Sequence, residues 1–203
     1  WEKNPSLLEV LEDFNEAMAR AGALLIHYRA HFVGKLAPRA AQIQRDFSGD
    51  REELTLSYQT VGTVRNPLGP TVSIYEDLRA HQDSHRRAEL EARSCLSGPH
   101  KDDLAAWIDG QPARQFASQG QTRTAALSLK LAERELFEDD TGQWPVLLLD
   151  DVLSELDARR QDFVLDRITG GQVFITSCEA PAGEISRGKI LHIHQGALVD
   201  SPN

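Results

Sequence analysis

The sequence predicts an α/β protein: a largely parallel sheet with flanking helices, preceded by a helical arm or lid that carries a small β element. Three observations predict it. Apolar residues recur at helical spacing through the first forty positions. The texture changes after Ser97-Gly98-Pro99. Beyond that point the apolar runs Trp144–Asp150 and Gln172–Ser177 flank a capped helical stretch, the strand–helix–strand order of a parallel sheet. The division is expected as a helical subdomain over 1–96 and an α/β lobe over 97–203.

The first helix is expected from Leu7 to Ala41, with Leu7, Leu11, Phe14, Met18, Leu24, Leu25, Tyr28, Phe32 and Leu36 on its apolar positions. Ser6 suits the N-cap, with Glu9 three residues on. Gly22 and Gly34 weaken the helix, and Pro38 is expected to kink or end it. Phe47-Ser48-Gly49-Asp50 marks a turn. Leu54–Tyr58 alternates as a half-buried strand does. Val61–Thr71 reads as loop, and Ser73–Arg93 as a charged, mostly solvated helix. Leu104–Ile108, Asp109-Gly110 and Gln111–Phe116 read as a hairpin with an Asp-Gly turn, followed by a helix over about Gln119–Glu138. Trp144–Asp150 is the pattern of a strand buried on both faces. A helix from Ala158 to about Arg167 and strands at Gln172–Ser177 and Lys189–His194 complete the lobe.

With 203 residues, 40% hydrophobic and 26% charged, the composition is that of an ordinary globular chain. A chain of this size buries about 70% of its unfolded surface. No run of about 18 apolar residues predicts a membrane span. A cytoplasmic setting is the expectation, and Cys95 and Cys178 are expected as plain buried thiols. The net charge of −9 opposes DNA binding in bulk, so DNA contact would need a local basic patch. The chain does not start with Met, and is expected to begin inside a longer gene product.

The chemistry gathers at Val146-Leu147-Leu148-Leu149-Asp150-Asp151. Ligands of open α/β sheets bind beyond the carboxyl ends of the strands. There Asp150 can hold Mg²⁺ and Asp151 can orient or deprotonate an attacking water, the Walker B pattern. A buried strand ending in acidic turn residues also occurs without such a role. Ser154-Glu155-Leu156-Asp157 then reads either as a simple strand–turn–helix connection, with Asp157 as N-cap, or as the D-loop that follows Walker B in ABC-type ATPases. Ser118-Gln119-Gly120-Gln121 has capping-box spacing. It is a well-capped helix start or, in addition, an anion site of the kind ABC signature motifs form, with Arg123 in the first turn.

Gly98-Pro99-His100-Lys101-Asp102-Asp103-Leu104, Ser118-Gln119-Gly120-Gln121-Thr122-Arg123-Thr124 and Leu147–Asp157 together closely resemble the bacterial RecF recombination-mediator family of the ABC/SMC superfamily. The resemblance covers about Leu7 to Glu179, including Ala21-Gly22, Arg29, Phe32 and Glu53–Leu56. It implies the C-terminal lobe of an ABC-type ATPase head plus a helical lid. It also implies ATP and Mg²⁺ as cofactors, ATP-dependent homodimerisation on double-stranded or gapped DNA, and RecA loading with RecO and RecR, within repair, recombination, replication and the SOS response. Asp150 would be the Mg²⁺ carboxylate and Asp151 the catalytic carboxylate, shorter than the usual Glu and therefore slow. Ser118, Gln119, Gly120 and Gln121 would meet the partner's ATP, and Asp157 would be the D-loop carboxylate. Gln119 replaces the first glycine of the general ABC signature, as in the RecF version. No switch histidine follows the next strand, where Ile175-Thr176-Ser177-Cys178-Glu179 stands. Nor does any Gly-Lys-Ser/Thr occur: Gly34-Lys35 precedes Leu36, and Gly188-Lys189 precedes Ile190. The phosphate loop is expected upstream of Trp1, and the chain alone is expected to be inactive. The alternatives are a non-catalytic DNA- or partner-binding module, or a head fragment of another SMC or Rad50-like ATPase; the latter lacks its expected long heptad repeat.

Three weaker signals are set aside. His27/His31 and His81/His85 have zinc-like i, i+4 spacing but no third ligand in sequence. Arg86, Arg87 and Arg93 could face DNA but are interleaved with Glu89 and Glu91. Trp107 suits hairpin packing better than base stacking.

Overall fold

The computed structural model describes residues 7–60, 64–178 and 188–199. Ser6, Val61, Gly62 and Glu179, which carried expectations above, lie outside them. The chain divides into two compact units between Gln143 and Trp144. The division expected from the sequence lies at 96/97, and within the first unit a strand before that point and a strand after it form one antiparallel ladder.

In the first unit α1 spans Leu7–Ser48, 42 residues, and continues through Pro38. Of the expected kink or end at Pro38, the end does not occur. A mid-helix proline costs about 3 kcal/mol, but contacts on both sides of it hold the helix. Lys35 pairs with Asp140 at 3.2 Å and Arg39 with Asp139, while Leu36, Ala40, Ile43 and Phe47 are buried. The helix ends where Gly49 and Asp50 take positive φ and the Ser48 hydroxyl accepts the N–H groups of Arg51 and Glu52. Strand β1 (Leu54–Gln59) follows, its Leu54 and Leu56 turned inward. Helix α2 (Thr71–Ala92) places Ile74 and Leu78 against Ala19, Ala23 and Ile26 of α1.

Strand β2 (Asp103–Ile108) pairs antiparallel with β1, from Leu54↔Ile108 to Gln59↔Asp103. Asp109 and Gly110, both at positive φ, make the hairpin turn that the Asp-Gly pair predicts. The returning strand β3 is only Gln111–Pro112, not the expected run to Phe116. Pro112 has no N–H to extend a ladder, and the chain enters the short helix α3 (Ala113–Phe116) instead. Helix α4 (Gln119–Thr141) then packs along α1. Between them Gln44, fully buried, accepts the Ser128 hydroxyl at 2.9 Å and donates to Glu52 at 2.7 Å.

The second unit contains β4 (Leu147–Asp150), α5 (Ala158–Arg167) and β5 (Val173–Thr176). β4 and β5 are parallel, in register from Leu147↔Val173 to Asp150↔Thr176, with α5 as their crossover. This is the α/β arrangement expected. Burial of β4 on both faces is not observed. Leu147 and Leu149 are buried, but Leu148 is 70% exposed and its neighbour Phe174 51% exposed, so only one face is covered. The approach to β5 requires glycine: Gly171 has φ +68°, and a Cβ there would lie 2.6 Å from Cβ of Trp144. The last expected strand contracts to β6 (His192–His194), which forms a hairpin with β7 (Ala197–Val199).

Candidate functional site

Asp150 is the last residue of β4, and its carboxylate is exposed at the carboxyl end of the parallel pair. Register sets it beside Thr176, whose hydroxyl donates to Asp150 Oδ1 at 2.5 Å. Asp151 follows with φ +51°, in the left-handed region that Asp tolerates better than most residues. Its N–H is held twice by Thr176, at 3.1 Å from the carbonyl oxygen and 3.0 Å from Oγ1. The Ser154 hydroxyl, one turn on, lies 2.7 Å from Asp151 Oδ1 and 2.9 Å from Asp151 O. Two carboxylates and two hydroxyls thus share one strand end.

The connection to α5 is pinned at both ends. Leu153 and Leu156 are buried. Gln161 Nε2 donates to the carbonyl oxygens of Leu153 (2.7 Å) and Leu156 (3.1 Å). Asp157 is the N-cap of α5: its Oδ1 accepts the Arg160 N–H at 3.0 Å. Its carboxylate remains largely exposed beside Arg160 Nε at 3.6 Å.

Ser118–Gln121 stands in the first unit. The capping box is complete: Ser118 Oγ accepts the Gln121 N–H at 3.2 Å, and Gln121 Oε1 accepts the Ser118 N–H at 2.9 Å. A hydroxyl that accepts one bond keeps its proton to donate, and Ser118, Gln119 and Gly120 are exposed. The first helical bond is made by the Thr122 N–H to Ser118 O, 2.9 Å. Gln119 and Gly120 therefore present their N–H groups ahead of the helical ladder, where the helix dipole favours an anion.

The Gly98–Asp103 motif forms a clasp. Gly98 takes φ +125° and Pro99–Lys101 makes a single tight turn. Arg29 of α1 donates to Pro99 O at 2.7 Å, and the Tyr58 hydroxyl of β1 donates to Asp102. Burial, reinforced by the Asp102 carboxylate, pushes the Tyr58 phenol up to about 12. Gly22 explains itself here: a Cβ would sit 3.1 Å from Pro99 Cδ.

The histidine pairs do meet, His27/His31 with ring centroids 4.3 Å apart and His81/His85 stacked at 3.9 Å. Yet among the described residues no group of three or more His, Cys, Asp or Glu could hold a metal. Mg²⁺ needs no such cage, because one carboxylate plus phosphate oxygens and water suffices. The exposed Asp150 carboxylate fits that donor set. Arg86 is engaged with Glu12 (3.6 Å) and Arg87 with Glu91 (2.9 Å), and Arg93 caps α2 at φ 52°. Cys95 is half-buried and its thiol is raised by burial, whereas Cys178 is exposed rather than buried. Sequence reasoning missed Thr176 as a member of the site, and named Ser154 only as the start of the Ser154–Asp157 segment, without its bonds to Asp151. Thr176 lies in the segment where a switch histidine would stand, but nothing in its identity signals pairing with Asp150.

No family model matches the chain. It is 40% identical over 164 residues to the DNA replication and repair protein RecF of Symbiobacterium thermophilum, covering 80% of the chain and 44% of that protein. To RecF of Bacillus subtilis it is 37% identical over 205 residues, covering 96% of the chain and 52% of that protein. A solved structure of the recombination mediator protein RecF with ATP in the RecFOR pathway superposes with a TM-score of 0.79 at 35% identity, over 94% of the chain and 50% of that structure. The chain spans about half the length of the relatives it matches.

Proposed function

Over most of its length the chain is of the RecF family, and on that premise we propose that it supplies one part of the ATP site of a DNA replication and repair ATPase. The observation that carries this reading is the grouping of Asp150, Asp151, Ser154 and Thr176 at the carboxyl end of the parallel β4–β5 pair. Asp150 would hold the Mg²⁺ that accompanies ATP, and the ion would there offset charge on the phosphates. Asp151 orients the attacking water and takes its proton, while the new bond to the terminal phosphorus forms and the bond to the bridging oxygen breaks. An aspartate reaches less far than the glutamate usual in such sites, so turnover is slow. Ser118, Gln119, Gly120 and Gln121 approach the ATP held by a second copy, and Asp157 lies at that interface. The phosphate-cradling loop comes from outside this chain, which contains no Gly-Lys-Ser/Thr. The RecFOR context of a matched structure supports RecO and RecR as partners; double-stranded or gapped DNA as the shared substrate, RecA loading as the outcome and a cytoplasmic setting follow from the family resemblance alone. The net charge of −9, and the acidic partners of Arg86 and Arg87, do not favour the α2 stripe as the DNA surface.

Calorimetry on the chain alone should show ATP binding weaker than micromolar; submicromolar affinity would overturn the incomplete-site reading. In the protein that includes a phosphate loop, DNA-stimulated hydrolysis should appear and Asp150→Asn should abolish it. Hydrolysis surviving Asp150→Asn refutes the Walker B assignment. Ser118→Arg should prevent ATP-dependent dimerisation on a sizing column while ATP still binds the monomer.

A further inference from the structure

We infer that Thr176 is a positioning residue for both Walker B carboxylates, a role that rests on the assignment of Asp150 and Asp151 above. Its hydroxyl has one proton and two lone pairs, and the structure uses both capacities. The proton goes to Asp150 Oδ1 at 2.5 Å, and a lone pair receives the Asp151 N–H at 3.0 Å. One side-chain oxygen on β5 therefore sets the side chain of one carboxylate and the backbone of the next. The bond to Asp150 is charge-assisted, of the stronger class. It fixes one carboxylate oxygen and leaves Oδ2 to face a cation.

The bond to Asp151 acts where the backbone is least comfortable. Asp151 sits at φ +51°, a conformation that Asp tolerates better than most residues but that still costs energy relative to glycine, and the surrounding bonds help to hold it. Thr176 supplies two of those constraints, through its carbonyl oxygen and through Oγ1. Ser154 supplies a third by engaging Asp151 Oδ1 and O. The left-handed turn swings the chain away from the strand direction, and the direction of the Asp151 carboxylate depends on it. Ordinary parallel pairing explains the carbonyl contact, since Asp150 and Thr176 are register partners. It does not require a hydroxyl. Valine would fill the same volume and suit a strand better, yet could make neither side-chain bond.

The test compares Thr176→Val, Thr176→Ser and Asp150→Asn in the full-length ATPase. Two quantities are read: the affinity for Mn²⁺, used as a spectroscopic substitute for Mg²⁺ and followed by electron paramagnetic resonance with a non-hydrolysable ATP analogue, and kcat with KM for ATP. Thr176→Val should weaken Mn²⁺ binding about tenfold and lower kcat at least as much, with KM for ATP within about twofold, as expected for loss of one charge-assisted bond. Thr176→Ser should restore both quantities to near wild type, because it keeps the hydroxyl. If the Val variant does not fold, Thr176→Ala takes its place against Ser. Loss of activity in Asp150→Asn with a wild-type Thr176→Val would overturn the positioning role alone. Equal damage from Val and Ser would also overturn it, since the hydroxyl would then not be the cause. Full activity and Mn²⁺ affinity in Asp150→Asn would instead overturn the underlying assignment.

Discussion

The buried polar link between α1 and α4 permits a quantitative test of what joins these helices. Gln44 and Ser128 are both fully buried, and the Ser128 hydroxyl donates to Gln44 Oε1 at 2.9 Å. Gln44 Nε2 reaches on to Glu52 at 2.7 Å, and Glu52 is half-buried and open to water on one side. Ser128→Ala removes the donor and strands a buried amide oxygen, a loss of about 1–3 kcal/mol. Alanine's better helix propensity returns about 0.5 kcal/mol, leaving a net destabilisation of about 0.5–2.5 kcal/mol. Gln44→Met keeps the volume but leaves the Ser128 hydroxyl without its acceptor. That hydroxyl can turn to a carbonyl of its own helix, so the cost is smaller, about 1 kcal/mol. The double variant removes both partners of one bond, and its cost should fall short of the sum by about 1 kcal/mol. Urea unfolding followed by far-ultraviolet circular dichroism reads the relevant unit, because α1, α2 and α4 hold 42, 22 and 23 helical residues against 10 in α5. Unchanged slopes with shifted midpoints would identify a stability effect. Ser128→Ala within about 0.3 kcal/mol of wild type, together with additive variants, would refute the reasoning.

Other outcomes follow from local geometry. Gly34→Ala should stabilise by about 0.5–1 kcal/mol, since Gly34 lies inside α1 with open space around a Cβ; a lower thermal midpoint would contradict this. Gly171→Ala should destabilise the second unit by about 1–3 kcal/mol, because positive φ and the Trp144 side chain both oppose a methyl group; Trp144 fluorescence in urea reads it. Ser118→Ala should cost about 1 kcal/mol of α4 stability through loss of the capping box, measured by the same urea titration. Burial, with His85 stacked on it, holds the His81 imidazole below its usual range despite Glu89 nearby, and Ser97 Oγ bonds its Nδ1. A depressed imidazole binds its proton less readily folded than unfolded. Its contribution is therefore present above the ordinary value near 6.5 and lost as pH falls through the folded value. Between pH 7.5 and 5.5 the wild-type urea midpoint should fall more than that of His81→Asn, and parallel falls would contradict the assignment.

Much of the local structure was legible because its causes are local. The ends of α5 are marked by an N-cap at Asp157 and the loss of periodicity after Arg167, and both stand where the spacing puts them. The capping box at Ser118 and the Asp-Gly turn follow from side-chain chemistry within four residues. Failures occurred where distant contacts outweighed local preference. Pro38 reads as a break, but α4 clamps α1 on both sides of it. Leu148 is exposed in this chain, which spans about half the length of its relatives, and composition reports apolar character and not which neighbour covers it. At the site Asp150, Asp151 and Asp157 announce themselves by position after an apolar run. Thr176 does not, because it is 26 residues away in sequence and meets Asp150 only through strand register.

The sequence by itself determined the order of the longer elements, the parallel strand–helix–strand crossover, the carboxylates at the end of β4 and the family resemblance. These depend on periodicity, capping and motif spacing, all carried by neighbouring residues. The tertiary structure alone decided that β1 joins β2 across the expected boundary, that α1 continues past its proline, and that Thr176 binds Asp150 and Asp151 together. Each of these requires two distant segments to come within hydrogen-bond or packing distance. Such forces act over a few ångströms, so no local pattern reports them before the chain has folded.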